Sequence, residues 1–247
     1  MTIPKVSIFG VPFSKLNMKD TITQVARMID SGHPHQIITA NPIMVMSALE
    51  NTAYLEMMKN ADLIVPDGAG VVWASQYVGN PVAERVTGFD LIHHLMDLGQ
   101  SKGWKVFLLG ASPEIIEAAA NRLKEKFPNL QLVGYRDGYF KPEEDQSVIE
   151  NIRSHHPDIL LVGRSADTQE PWIAKYKEQL QVPVIMGVGG SFDVMSGKLK
   201  RAPKLFQKLK LEWFYRLLQE PWRYKRMLVL PKFALKVIRE KDTVQRP

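Results

Sequence analysis

A chain of 247 residues with 45% hydrophobic and 23% charged side chains can bury the core of one large domain, or of one domain with an appendage. It has no cysteine, which excludes a disulfide framework and thiolate metal sites and suits a cytoplasmic protein. The net charge of +6 is unevenly placed: residues 1–197 carry 17 basic against 22 acidic side chains, whereas residues 198–247 carry 15 against 4. A basic tail of this kind implies an anionic partner.

The opening MTIPKVSIFG lacks a basic region followed by a long apolar stretch, so no signal peptide is expected. No apolar run approaches the ~18 residues of a spanning helix. Val6–Phe9 reads as a strand. Asn17 follows as an N-cap, with Asp20 in the first turn and Ile22, Val25, Ala26 and Ile29 on one helical face. Gln36–Thr39 is a second strand, ending where Asn41 can cap and Pro42 can open a helix. The stretch ADLIVPDGAG (Ala61–Gly70) is an apolar ramp, a chain-turning proline, a lone carboxylate and two glycines. It reads as a buried strand with Asp67 just past its end, followed by a helix over Gly70–Tyr77. Helices then follow over Asp90–Ser101, Pro113–Phe127, 142–154 and Thr168–Gln179, alternating with strands at Lys105–Leu109, Gln131–Tyr135, Ile159–Gly163 and Val184–Val188.

Strands separated by helices of this length predict an α/β fold: a mainly parallel, Rossmann-like sheet with helices on both faces. In such sheets ligands bind beyond the carboxyl ends of the strands. That edge collects Asn41, Asp67, Gly110, Asp137, Tyr139, Gln169 and the loop GVGGSFD, with Gly187, Gly189, Gly190 and Asp193. The glycines let backbone N–H groups approach an anion, Asp193 can accept from a base or ribose, and Tyr139 can stack on a base. Each has a plainer reading. Asp67 can simply cap the next helix, GVGG can be an ordinary turn, and Tyr139 can lie on the surface.

Several chemistries are missing from the text. There is no dinucleotide or P-loop fingerprint, no H-E-x-x-H, no G-x-S-x-G and no Asp-x-Asp pair. The paired histidines (His33/His35, His93/His94, His155/His156) suggest no third ligand, so no metal and no cofactor are expected. Absence of the dinucleotide fingerprint disfavours an epimerase or dehydrogenase. In the tail, Phe206, Leu209, Trp213 and Leu217 recur at helical spacing, with Pro221 and Pro231 expected to divide the run into about three helices. Lys232, Lys236 and Arg239 share a face of the last one. Basic residues among Trp, Tyr, Phe and Leu suit an anionic membrane surface, or a docked bundle with a solvated basic face. Nucleic acid is disfavoured, because the apolar content exceeds what phosphate contacts require.

Eight segments together resemble the WecG/TagA/CpsF family of bacterial glycosyltransferases. They are TANP (Thr39–Pro42), VPDGAGVVWAS (Val65–Ser75), ERVTGFDL (Glu84–Leu91), FLLGAS (Phe107–Ser112), DGYF (Asp137–Phe140), QEPWI (Gln169–Ile173), GVGGSFDVMSGKLKRAP (Gly187–Pro203) and LEWFYRLLQEPWRYKRM (Leu211–Met227). The tail is most similar to the TagA branch. The resemblance implies metal-independent, inverting transfer of N-acetylmannosamine from its UDP derivative to undecaprenyl-diphosphate-linked N-acetylglucosamine, giving a β-1,4 link in teichoic acid synthesis. Other members use another UDP-sugar, such as the corresponding uronic acid. Asp67 matches the family's general base, and Thr39, Asn41, Arg85 and Gln169 its other pocket residues. Arg216, Arg223 and Arg226 match arginines that close over the donor diphosphate, and Tyr139 and Asp193 match uridine contacts. The resemblance divides the chain into a catalytic domain, 1–197, and an appendage, 198–247, that closes the site at the inner face of the plasma membrane. A homo-oligomer is compatible with it. One loop departs from the family pattern. Where that pattern has glycine and proline, Arg164-Ser165-Ala166-Asp167-Thr168 precedes Gln169, a change expected to disturb its placement.

Overall fold

A computed structural model describes residues 3–245; residues 1–2 and 246–247 lie outside the described residues. The chain begins with β1 (Lys5–Ile8) and β2 (Val11–Ser14), an antiparallel hairpin in which Ile8 faces Val11. The strand expected over Val6–Phe9 stops one residue early for a local reason. Phe9 and Gly10 both take positive φ, 51° and 82°, the conformation of a two-residue hairpin turn whose twist matches its strands. The hairpin is separate from the main sheet.

The remaining elements follow in order: α1 (Met18–Ser31), β3 (His35–Ala40), α2 (Pro42–Glu50), α3 (Thr52–Lys59), β4 (Leu63–Pro66), α4 (Ala69–Tyr77), α5 (Gly88–Lys102), β5 (Lys105–Gly110), α6 (Pro113–Lys126), β6 (Gln131–Arg136), α7 (Asp145–Ser154), β7 (Ile159–Gly163), α8 (Ala166–Leu180), β8 (Val184–Gly187) and α9 (Ser191–Met195). The tail adds α10 (Lys204–Lys208), α11 (Glu212–Gln219), α12 (Tyr224–Met227) and α13 (Val229–Arg239). Six parallel strands form one sheet in the order β4-β3-β8-β7-β5-β6. The fold is the expected α/β class.

β4, β7 and β8 read as unbroken apolar runs because both faces are covered, whereas the edge strand β6 (QLVGYR) is mixed and partly exposed. Along β7, Ile159 and Leu161 enter the core beneath α1, α5, α6 and α9, while Leu160 and Val162 enter the opposite core beneath α7 and α8. Along β4, Leu63 and Val65 take the first face and Ile64 the second, where the hairpin, α2, α3, α4 and α13 pack. This is the two-residue period of a strand applied to both faces.

Caps set the helix starts. The Asn17 side chain accepts from Asp20 N–H (2.8 Å), and Asn41 Oδ1 accepts from Ile43 and Met44 N–H (2.9 and 3.3 Å). Residues Pro142–Glu144 form a 3₁₀ turn, so the helix expected from 142 begins at Asp145.

The tail breaks at Pro221 as expected, where α11 ends at Gln219, but not at Pro231, and it breaks once more where no proline stands. Lys210 takes φ 61°, separating α10 from α11, so Phe206 and Trp213 lie on different helices. Pro231 is tolerated within the first turn of α13, where its missing N–H is unneeded. Phe233, Val237 and Val244 are buried with Ile38, Ala40 and Ile64, and Phe9 N–H donates to Val244 O (2.7 Å). The end of the chain therefore contributes to the core of the body. Among the described residues no helix is long and apolar enough to cross a membrane.

Candidate active site

The carboxyl ends of β3 and β4 are tied together, since Asp67 N–H donates to Ala40 O (2.9 Å). A Cβ on Gly68 or Gly70 would lie 2.8 or 2.7 Å from the Pro42 ring, so α2 and α4 begin in contact only because those positions are glycine. Asp67 does not cap α4. That N-cap is Gly68, and Asp67 Oδ2 instead accepts the N–H of Gly88 (3.0 Å), the first residue of α5. A side chain at Gly88 would collide with Thr39 Oγ1 at 3.0 Å, which brings Thr39, Gly88 and Asp67 to one place. Val86 N–H donates to Pro66 O (3.0 Å), carrying Arg85 to the same edge.

Burial is the largest influence on Asp67 and pushes its carboxyl up to about 7. The Gly88 N–H and Arg85 oppose that rise, while Glu212 and Asp90 add to it. The carboxyl keeps one face on a cavity of about 470 Å³ that Asn41, Arg85, Arg216, Arg223 and Arg226 also line. Its walls include Trp73, Trp213, Leu230 and Phe233. A second cavity of about 510 Å³ adjoins it through Asn41, Asp67 and the three tail arginines. Thr39, Gln169, Gly187, Gly189, Gly190 and Asp193 line this second part.

Gln169 is held from three sides. Its Oε1 accepts from the N–H of Arg164 and of Gly189 (both 3.1 Å), and its Nε2 donates to Glu170 Oε1 (2.9 Å). The loops after β7 and β8 are thereby clamped together, despite the altered sequence at 164–168. The new Arg164 guanidinium stacks over Phe140, 4.5 Å from the ring centre. Glu170 lies fully buried beneath Gly187, accepting also from Gln36 Nε2 (2.9 Å), and burial raises its carboxyl to about 7. Its folded-state value lies above the 4.5 of the free group, so its stabilising contribution is complete below about 4.5 and is lost as pH rises towards 7. Glu170→Gln keeps one acceptor oxygen for Gln36 or Gln169 and turns an amide N–H towards the other, so it is expected to lie below the wild type at pH 5. Because it does not ionise, the difference should shift in its favour by about 2–3 kcal/mol between pH 5 and pH 8, read from melting temperatures.

Gly110, Asp137 and Tyr139 lie outside both cavities, at the ends of β5 and β6. Gly110 takes φ 138° with its missing Cβ 2.3 Å from Gly163 O, and Gly138 N–H donates to Ala111 O (2.9 Å). Asp137 Oδ1 accepts from Tyr139 N–H (2.9 Å), leaving that ring 79% exposed. The three form a shelf beside the cavities.

Two tail carboxylates went unsuspected in the sequence. Glu212, the first residue of α11, is ion-paired with Arg85 across the cleft. Glu220 Oε2 binds Arg216 Nε (2.5 Å) and Arg223 Nη1 (3.3 Å). The second pairing was visible as i,i+4 and i,i+3 spacing around Glu220, whereas the first joins residues 127 apart. Arg223 Nε is buried with no hydrogen-bond partner among the described residues. No group of three His, Asp or Glu side chains that could hold a metal ion occurs among the described residues.

The model of the glycosyl transferase WecG/TagA/CpsF family matches residues 6–247. The chain belongs to this family. Three curated relatives carry the name N-acetylglucosaminyldiphosphoundecaprenol N-acetyl-beta-D-mannosaminyltransferase. The Bacillus spizizenii protein is 39% identical over 85% of this chain and 81% of its own length. The Bacillus subtilis protein is 35% identical over 95% and 91%, and the Staphylococcus aureus protein 36% over 98% and 95%. In this glycosyltransferase, then, a carboxylate at the end of a parallel strand faces a cluster of arginines contributed by the tail.

Proposed function

We propose that the chain transfers N-acetylmannosamine from UDP-N-acetylmannosamine to the 4-hydroxyl of N-acetylglucosamine carried on undecaprenyl diphosphate, with inversion. The observation that carries this reading is Asp67, raised to about 7 at the floor of a cavity walled by Arg216, Arg223 and Arg226. Asp67 takes the proton of the acceptor hydroxyl as its oxygen attacks C1 of the donor sugar. The C1–oxygen bond to the diphosphate breaks on the opposite face, and UDP departs with the bonding pair. A base near the working pH suits the first event, and guanidinium forks suit the charge that develops in the second. Asn41 has its oxygen committed to the α2 cap, so only its amide N–H groups are left for a ligand. The shelf of Gly110, Asp137 and Tyr139 suits the uracil and ribose. Incubation with UDP-N-acetylmannosamine and a soluble diphosphate-linked N-acetylglucosamine acceptor should release UDP. Release only from another UDP-sugar would overturn the choice of donor.

The acceptor is lipid-linked, and the tail is suited to meet it at an anionic membrane face. Its exposed apolar side chains, among them Leu218, Trp222 (71% exposed), Leu228 and Leu235, accompany a run of Lys and Arg. Removing the whole tail would uncover the core around Phe233 and Val237, so point changes make the better test. Trp222→Glu with Leu228→Glu should leave the fold intact and cut sedimentation with anionic vesicles about ten-fold or more. Sedimentation equal to the wild type would remove the membrane role of these side chains.

A further inference from the structure

We propose that Glu212 is a positioning residue for the base: by engaging Arg85 it latches the tail across the cleft and takes the charge of Arg85 off Asp67. The proposal rests on the assignment of Asp67 as base. Its geometry is independent of that assignment. Arg85 sits on the loop that Val86 N–H ties to Pro66 O at the end of β4, one residue before Asp67. Glu212 opens α11, lines both cavities and is ion-paired with Arg85. The contact is a direct polar bond between the loop beside the base and the helix that supplies Arg216, and it is half-buried on both sides.

An arginine next to a carboxylate holds the proton off it and so weakens it as a base. Arg85 acts on Asp67 in that sense, and Glu212 in the opposite one. The other influences facing Asp67 are the Gly88 N–H and Asp90 on α5. Asp90 is itself bound by Arg201 (2.7 Å), and the cavity walls add Arg216, Arg223 and Arg226. With Glu212 docked, Arg85 is neutralised and Asp67 is open only towards the cavity. With the tail undocked, Asp67 meets both solvent and an unpaired Arg85, and behaves as an ordinary carboxylate. One residue of the tail thus links closure of the cleft to the strength of the base. Arg85 consequently has its charge committed to a protein carboxylate rather than free for the donor diphosphate.

Two readouts on the full-length chain test this without requiring turnover. The first is hydrogen exchange of the α11 amides. The second is the carbon-13 titration of the Asp67 carboxyl, assigned by its loss in Asp67→Asn. In Glu212→Gln, α11 should exchange about ten-fold faster or more, and the Asp67 midpoint should fall below its wild-type value. Glu212→Asp keeps the carboxylate and should fall between the two. Wild-type protection of α11 in Glu212→Gln overturns the latch, and an unmoved Asp67 midpoint overturns the link to the base. In the turnover assay, the acid limb of kcat in Glu212→Gln should move to lower pH, with kcat at pH 8 reduced about ten-fold. If the wild type releases no UDP from any UDP-sugar while the Asp67 midpoint still moves, the catalytic reading fails and the latch stands.

Discussion

Asp67→Asn is expected to lower kcat by about 10²–10⁴-fold while leaving UDP affinity within a factor of about two. The amide keeps an oxygen for the Gly88 N–H, so the start of α5 and the shape of the cavity persist. What is lost is the ability to accept a proton. The same substitution should stabilise the fold at alkaline pH. The Asp67 carboxyl is raised from 3.8 to about 7 in the folded chain, so its contribution to stability is full below about 3.8 and is lost as pH rises through 7. The asparagine escapes that loss. The gap in melting temperature between variant and wild type should therefore widen between pH 5 and pH 8, reaching about 2–4 °C for each kcal/mol recovered. In the wild type, kcat should rise along an acid limb with a midpoint near 7. Near-normal turnover by Asp67→Asn would end its assignment as base.

The gain in stability and the loss of rate share one cause. A carboxylate left ionised in a partly closed pocket is costly to the fold, and that cost makes it eager for a proton. Glu170 shows the same physics without the access. It is fully buried, bonded by Gln36 and Gln169, and clamps the glycine loop rather than meeting a ligand.

Much of this was legible in the chain itself, for definite reasons. Parallel strands covered on both faces must be apolar throughout, so Leu63–Val65 and Ile159–Val162 announced themselves. Asn17 and Asn41 are caps whose side chains act within three residues, a range over which sequence and structure coincide. The hairpin turn was missed because Phe9 lacks the usual asparagine or glycine at a positive-φ position, and only tertiary contact reveals why it is tolerated there. The Asp67 partner was also hidden. A carboxylate beside a helix start suggests a cap for the next helix, yet its bond runs to a helix 21 residues further on. The strongest non-local features, Glu212 with Arg85 and the burial of Phe233, Val237 and Val244, depend on the tail folding back. The +11 charge of the tail suggests an anionic partner but carries no information on where α11 docks.

Arg223 carries the second large effect. It is half-buried, and burial, then Arg216, pull its guanidinium below the usual arginine value. Holding it charged there requires acceptors, yet Glu220 Oε2 serves both Arg223 and Arg216, and Arg223 Nε has none among the described residues. A guanidinium offers five donors, so the pair stands ready for an anion with several oxygens. Arg223→Ala should weaken UDP binding by about 10–100-fold in calorimetry, in line with ~1.5–3 kcal/mol for a charged hydrogen bond. It should lower kcat by about 10²–10³-fold, since the leaving diphosphate gains charge in the transition state. Arg223→Lys keeps the charge but not the planar fork, and should recover UDP affinity more fully than kcat. Vesicle binding, which depends on side chains such as Trp222 and Leu228, should be unchanged in both variants. Loss of vesicle binding with intact UDP affinity would instead assign Arg223 to the membrane face and leave Arg216 and Arg226 to hold the diphosphate.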